Sequence, residues 1–173
     1  MDELLILVDN NDNQIGFLDK LSVHRTGVLH RAFSVFIFNL NGDLLLQQRA
    51  LNKYHSPGLW SNSCCSHPHL NEITSVACNR RLGEEMGIIC SMKFAFSFVY
   101  KAKFENGLTE HEFDHVYFGI SDDSPAPNPE EVKSWKYISM QDLKMDILKS
   151  PEKYTEWLKI CLPKVSEHLK LDI

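Results

Sequence analysis

Residues 66–88 read SHPHLNEITSVACNRRLGEEMGI, and the character of the chain changes twice within them. The first six residues, with Pro68 and Asn71, have no helical or strand period and predict a loop. From Glu72 to Met86 the spacing predicts a helix. Gly87 follows at the C′ position, where the left-handed residue that ends a helix is most often glycine. Ile73, Val76, Ala77, Arg80, Glu84 and Gly87 recur at three- and four-residue steps, so one face runs from apolar through basic to acidic toward the exit of the helix.

Almost everything around this helix reads as strand. Upstream, Leu4 to Val8 and Gln14 to Leu18 form a hairpin about a turn at residues 10–13. Ala32 to Asn39 and Asp43 to Arg49 form a second one about Asn41-Gly42, the strongest hairpin dipeptide in the chain. Leu51 to Pro57 reads as a loop and Leu59 to Cys64 as a short strand. Downstream, Ile88 to Phe104 and Leu108 to Ile120 are long β segments joined at Asn106-Gly107. Pro125, Pro127 and Pro129 alternate in a connector that cannot be helical, and Val132 to Ile138 is a further strand. Ser139 with Asp142 opens a helix as a weak capping pair, and Pro151 suits the first turn of another helix running to Cys161. One central helix in a strand-rich body, with helices gathered at the end, is an α+β layout, expected as one domain over residues 1–173.

The net charge of -5 argues against a surface built for nucleic acid. The longest apolar runs fall far short of the roughly 20 residues that span a bilayer. Asp2 and Glu3 stand where a signal peptide would be basic, so a soluble, cytoplasmic protein is expected, with no membrane partner. Five cysteines, at 64, 65, 78, 90 and 161, make an odd number that suits reduced thiols better than a disulfide framework. Seven of the eight histidines lie between residues 24 and 115, near Cys64-Cys65 and near Glu110 and Glu112. Imidazole and carboxylate gathered around a thiol indicate a metal or a reaction centre.

Glu72, Arg80, Leu82, Glu84, Glu85, Gly87 and Ile88 fall on the spacing G-x5-E-x7-R-E-U-x-E-E-x-G-U, where U is aliphatic, with Ser66 at the first glycine and Arg81 at the middle glutamate. The stretch resembles a degenerate Nudix box. Asn62-Ser63-Cys64-Cys65-Ser66-His67-Pro68 is similar to the N-S-x-C-x-H-P segment of type 1 isopentenyl-diphosphate Δ-isomerases. Arg49 to Lys53, Pro57 to Trp60, the early Lys20, His24 and His30, and Glu110-His111-Glu112 resemble further elements of that family, in the same order. The resemblance implies a Nudix-type mixed β-sheet sandwich with a central Nudix helix and additional C-terminal helices.

It also implies a metal, Mn²⁺ or Zn²⁺, held by His24, His30, His67, Glu110 and Glu112, and Mg²⁺ at Glu85, beside the backbone of Cys65, bridging to a prenyl diphosphate substrate. Lys20, Arg49, Lys53 and Arg81, with the backbone at Ser66, would hold the phosphates. Cys65 and Glu112 would be the acid and base of a 1,3 proton shift, Tyr100 would orient one of them, and Trp157 would face the developing cation. Mg²⁺ prefers oxygen ligands, and strand alternation puts Glu110 and Glu112 on one face and His111 on the other. Arg81 replaces an acid that a Nudix-type diphosphate hydrolase would use, which makes hydrolysis the alternative reading. A non-catalytic zinc-stabilised module is a second rival, and a monomer or weak homodimer is expected. His55, His69, His111, His115 and His168 are read as ordinary surface or core imidazoles. The remaining cysteines are read as small buried hydrophobes.

Overall fold

The computed structural model describes residues 3–104 and 106–170; Asp2 lies outside them. In chain order the elements are β1 (Leu4–Val8), β2 (Gln14–Asp19), α1 (Lys20–Thr26), β3 (His30–Phe38), β4 (Leu44–Arg49), β5 (Trp60–Ser61) and β6 (Cys64–Ser66). Then come α2 (Thr74–Met86), β7 (Met92–Lys103), β8 (Thr109–Ile120), β9 (Val132–Ile138), α3 (Met140–Lys149), a 3-10 turn (Pro151–Lys153) and α4 (Glu156–His168). The class is α+β, as expected.

Strand β3 is the spine. It runs parallel to β8 along its whole length, and β8 pairs antiparallel with β7. A parallel central strand is normally covered on both faces, which explains the nearly unbroken apolar run from Ala32 to Phe38. Phe33, Val35 and Ile37 face α2 through Ala77, Cys78, Leu82 and Met86. Phe36 and Phe38 face the other way, onto α3 and α4 through Leu143, Leu158, Leu162 and Val165. Each such side chain removed from water contributes roughly 2 kcal/mol, so the two helical layers together hold the sheet between them.

The hairpin at Asn41-Gly42 differs from expectation. The turn forms, but β3 and β4 pair only at Phe38 and Leu44 and then diverge. Ser63 is the reason. Its hydroxyl accepts from the Ile37 amide (2.8 Å) and donates to the Leu45 carbonyl (2.7 Å), so a side chain bridges the gap where a ladder would close. Asn62 adds a bond to the Val35 carbonyl (3.1 Å). The stretch expected as one strand from Leu59 to Cys64 is accordingly two short strands, with β5 on β4 and β6 on β3.

Other boundaries move as well, and β7 begins at Met92 instead of Ile88. Asp19 and Gly27 enclose a short helix, α1, that periodicity does not reveal: Asp19 accepts from the Ser22 amide (2.9 Å), and Gly27 takes φ +66°. Helix α2 begins at Thr74 and leaves Glu72 in the loop, where it accepts from the His69 amide. Pro151 opens the 3-10 turn, and α4 follows it and runs past Cys161 to His168. Cys90 is only half-buried, unlike Cys64, Cys78 and Cys161.

The proline connector has a use that its composition hides. In Pro125-Ala126-Pro127-Asn128-Pro129 only Ala126 and Asn128 have amides, and these donate to the Met86 and Glu85 carbonyls at the open end of α2 (2.8 and 2.9 Å). Gly87 permits the approach: a Cβ there would lie 2.8 Å from the Ala126 oxygen. Among the described residues no helix is long and apolar enough to cross a membrane.

Candidate active site

One cavity lies where the loops after β4 and β6, the face of α2, strands β7 and β8, and the start of α4 converge. Twelve of the residues singled out from the sequence line it: Lys20, Arg49, Lys53, Cys65, Ser66, His67, Arg81, Glu85, Tyr100, Glu110, Glu112 and Trp157. His24 and His30 stand directly behind Glu110, both essentially inaccessible to solvent.

The histidine cluster is set by α1 and by the pairing of β3 with β8. His30 is the register partner of Glu112. His24 Nε2 is 3.1 Å from Glu110 Oε2, and His30 Nε2 is 3.9 Å from the same oxygen and 3.7 Å from Glu112 Oε1. His67 Nε2 is 3.3 Å from Glu112 Oε1. Donor atoms of His24, His30, His67 and Glu110 all lie within 4.8 Å of one another.

Tautomers test whether this set fits a cation. His24 Nδ1 donates to the Lys20 carbonyl (2.6 Å) and His30 Nδ1 to the Val28 carbonyl (3.0 Å), which directs both Nε2 lone pairs into the cluster. Nε2 of His30 is buried and has no hydrogen-bond partner among the described residues. A lone pair facing a carboxylate oxygen at such distances repels it unless a proton or a metal ion lies between them. Three imidazoles and a carboxylate therefore suit a divalent metal. Burial would raise Glu110, but His24 and His55 outweigh it and hold the carboxyl well below its ordinary range. Burial and the nearby Glu110 push Glu112 up, yet His30 and His67 keep it below its usual value.

The Cys65 thiol donates to Asn62 Oδ1 over 2.9 Å and lies 3.6 Å from Ser34 Oγ, and burial, then the charge of Asp114, push its pKa up. Tyr100 Oη donates to Glu112 Oε2 (2.7 Å). Trp157 donates from Nε1 to Ser61 Oγ (2.8 Å), and the Arg49 guanidinium sits over its ring at 5.1 Å.

The cationic side is arranged by acids. Arg81 grips Glu85 (2.6 Å) and Glu84 (2.8 Å) and lies 3.5 Å from Glu131, which also pairs with Lys53. Glu85 is buried and accepts from Gln47 Nε2 (2.8 Å); burial raises its pKa, with Arg81 opposing. Glu84 is largely exposed. From the neighbouring position on α2, Arg80 bonds both oxygens of Glu72 (2.7 and 2.8 Å), closing the loop onto the helix. Lys20 pairs with Glu3 (2.8 Å).

Several site residues are not evident from sequence. Asn62, Gln47, Glu131 and the buried pair Ser34 and Asp114 (2.8 Å) all support residues already named. Asn62 lies inside the quoted cysteine motif, and Glu131 stands at the end of the proline connector, but no spacing marks the others. His55, read as ordinary, is buried with Nε2 3.2 Å from Glu110 Oε1. His111 stays outside the cluster and meets the Gly27 carbonyl, His115 pairs with Asp12 on the other side of β8, and His69 is exposed.

The mixed sheet, the helix bearing the box and the carboxylate at its inner face define a Nudix domain, and residues 28–158 match that family. Over 165 residues the chain is 53% identical to isopentenyl-diphosphate Delta-isomerase 2 of Aromatoleum aromaticum, covering 95% of this chain and 87% of the relative. It is also 53% identical to the isopentenyl-diphosphate Delta-isomerase of Serratia proteamaculans, with 91% and 88% covered, and 46% identical to that of Pectobacterium atrosepticum, with 95% and 92% covered. The crystal structure of the Deinococcus radiodurans protein DR0079 superposes with a TM-score of 0.79 over 94% of this chain and 98% of that one, at 22% identity, a likeness of fold alone. Within the Nudix proteins, the chain belongs to the isopentenyl-diphosphate Delta-isomerase family.

Proposed function

We propose that this chain is an isomerase that interconverts isopentenyl and dimethylallyl diphosphate and so supplies isoprenoid precursors. The observation that carries the reading is one cavity lined by a thiol and by a carboxylate paired with a phenol, with four cationic side chains at its rim. A proton is added to the terminal alkene carbon, giving a tertiary cation, and another leaves the carbon on its far side. No net proton or electron is exchanged. Cys65 and Glu112 supply the two proton-transfer groups, one donating and one accepting, and reversing the reaction exchanges their roles. Tyr100 holds Glu112 by its Oε2, and burial keeps that phenol protonated. Trp157 lines the cavity and offers its ring to the cation.

Lys20, Arg49, Lys53 and Arg81 hold the diphosphate beside Ser66, and because Arg81 stands where the box of a hydrolase carries a further acid, the helix has one carboxylate fewer for the metals that hydrolysis would require. His24, His30, His67, Glu110 and Glu112 would hold Mn²⁺ or Zn²⁺, and Glu85 with the Cys65 backbone would hold Mg²⁺ together with the diphosphate. When bound, these ions supply positive charge that fixes carboxylate geometry and neutralises phosphate oxygens. The same reading has the enzyme acting in the cytoplasm, as a monomer or weak homodimer, without nucleic acid or membrane. Incubation of isopentenyl diphosphate with the protein, Mg²⁺ and D₂O should give deuterated dimethylallyl diphosphate. Release of phosphate from a nucleoside triphosphate with no such exchange would overturn the reading in favour of a hydrolase.

A further inference from the structure

His55 belongs to neither the metal template nor the proton chemistry described above, yet its placement is more constrained than packing requires. It is 8% exposed. Its ring stacks on Phe104 (centroids 5.3 Å apart, planes 21° apart) and meets Tyr54 and Trp157 edge-on, at 4.5 and 5.7 Å. Arg49 donates to the carbonyls of His55 and Ser56, both at 3.2 Å, which ties the loop after β4 to the phosphate-holding side of the cavity. Nε2 of His55 lies 3.2 Å from Glu110 Oε1, while Oε2 of the same carboxylate faces His24 and His30. Glu110 is thus approached at each oxygen from a different element.

We propose that His55 is a positioning residue for the metal centre: by engaging Glu110 Oε1 it turns Oε2 toward His24 and His30. The inference rests on reading the histidine cluster as a metal site. Unlike those of His24 and His30, Nδ1 of His55 meets no carbonyl among the described residues, so the hydrogen belongs on the nitrogen that faces the accepting carboxylate, and an imidazole packed against three aromatic rings has little freedom to turn away. Partners behind a metal ligand commonly change metal affinity by about 10–100-fold when removed. A histidine that only filled space would need the ring but not that nitrogen.

The test compares the wild-type chain loaded with Zn²⁺ or Mn²⁺ with His55→Phe, His55→Leu and His55→Gln, measuring release of the metal to a chromogenic chelator. Melting temperature and Mg²⁺-dependent affinity for inorganic pyrophosphate are recorded alongside. Phe and Leu remove the nitrogen in two different shapes, whereas Gln returns an N–H at the end of a similar reach. Release should accelerate by about tenfold or more in both Phe and Leu variants and stay near wild type in Gln, with pyrophosphate affinity unchanged throughout. Wild-type release from Phe and Leu, or equal acceleration in all three variants, would overturn the proposal while leaving the metal site standing. A wild-type chain that retains neither metal would overturn the metal site itself, and the proposal with it.

Discussion

Tyr100 and Glu112 are register partners across the β7–β8 pairing, and the phenol donates to Glu112 Oε2 over 2.7 Å. The strand pairing itself therefore aims a donor at the carboxylate, leaving Oε1 to His67 and His30. Tyr100→Phe keeps the ring and removes the donor. Because a hydrogen bond to a charged group is worth about 1.5–3 kcal/mol, kcat should fall by about tenfold or more while KM changes little. Steady-state kinetics with isopentenyl diphosphate check this; a pure KM effect would place Tyr100 in binding.

The two adjacent cysteines face opposite ways, Cys64 into the core under α2 and Cys65 toward the cavity. Cys65→Ala should abolish isomerisation with metal content and melting temperature nearly intact. Cys64→Ala should retain turnover and lose only about 1 kcal/mol of stability, the cost of a small cavity. Parallel kinetics and thermal melts distinguish them, and comparable loss of turnover in both would mean that the pair acts as a unit.

Glu85 and Glu112 line one cavity, and the proposed reaction gives them separate duties. Glu85→Gln loses the charge that would anchor Mg²⁺, so its diphosphate affinity should fall and recover as Mg²⁺ is raised. Glu112→Gln removes the proposed proton-transfer group, so turnover should stay absent at every Mg²⁺ concentration while affinity for an unreactive diphosphate falls far less. Titration of both variants with Mg²⁺ separates the roles. Rescue of Glu112→Gln by Mg²⁺ would exchange them.

Acid stability should report the clasp between Glu72 and Arg80. The guanidinium bonds lower the Glu72 carboxyl to about 2 from an ordinary 4.5. A depressed folded-state pKa adds stability that is complete above the unfolded value and is lost as pH falls from there through the folded value. Urea midpoints of wild type and Glu72→Gln should therefore differ by a constant amount above about pH 5 and converge near pH 2. A gap that persists at pH 2 would assign the effect to shape and not to charge.

How far the sequence leads depends on whether a residue's partner is marked by spacing. The box helix could be read because Gly87 ends it and its charges repeat on one face, and the Glu110 and Glu112 pair because alternation is local. Helix α1 escapes because seven residues are too few to show a period, although Asp19 and Gly27 bracket it. The opening of the β3–β4 hairpin depends on Ser63, a side chain from beyond β4 that substitutes for backbone. His55 escapes for a similar reason: its loop has no period, and Glu110 lies on a distant strand.

The Ser63 bridge makes the reading frame of this short segment chemically consequential. Ser63 is pinned between Ile37 and Leu45, Cys64 next to it is core, and Cys65 one residue on faces the cavity. In extended chain each added residue turns the side chains over. Inserting one residue between Ser63 and Cys64 would present the other sulfur to the cavity and bury its neighbour, by shifting β6 one place along β3.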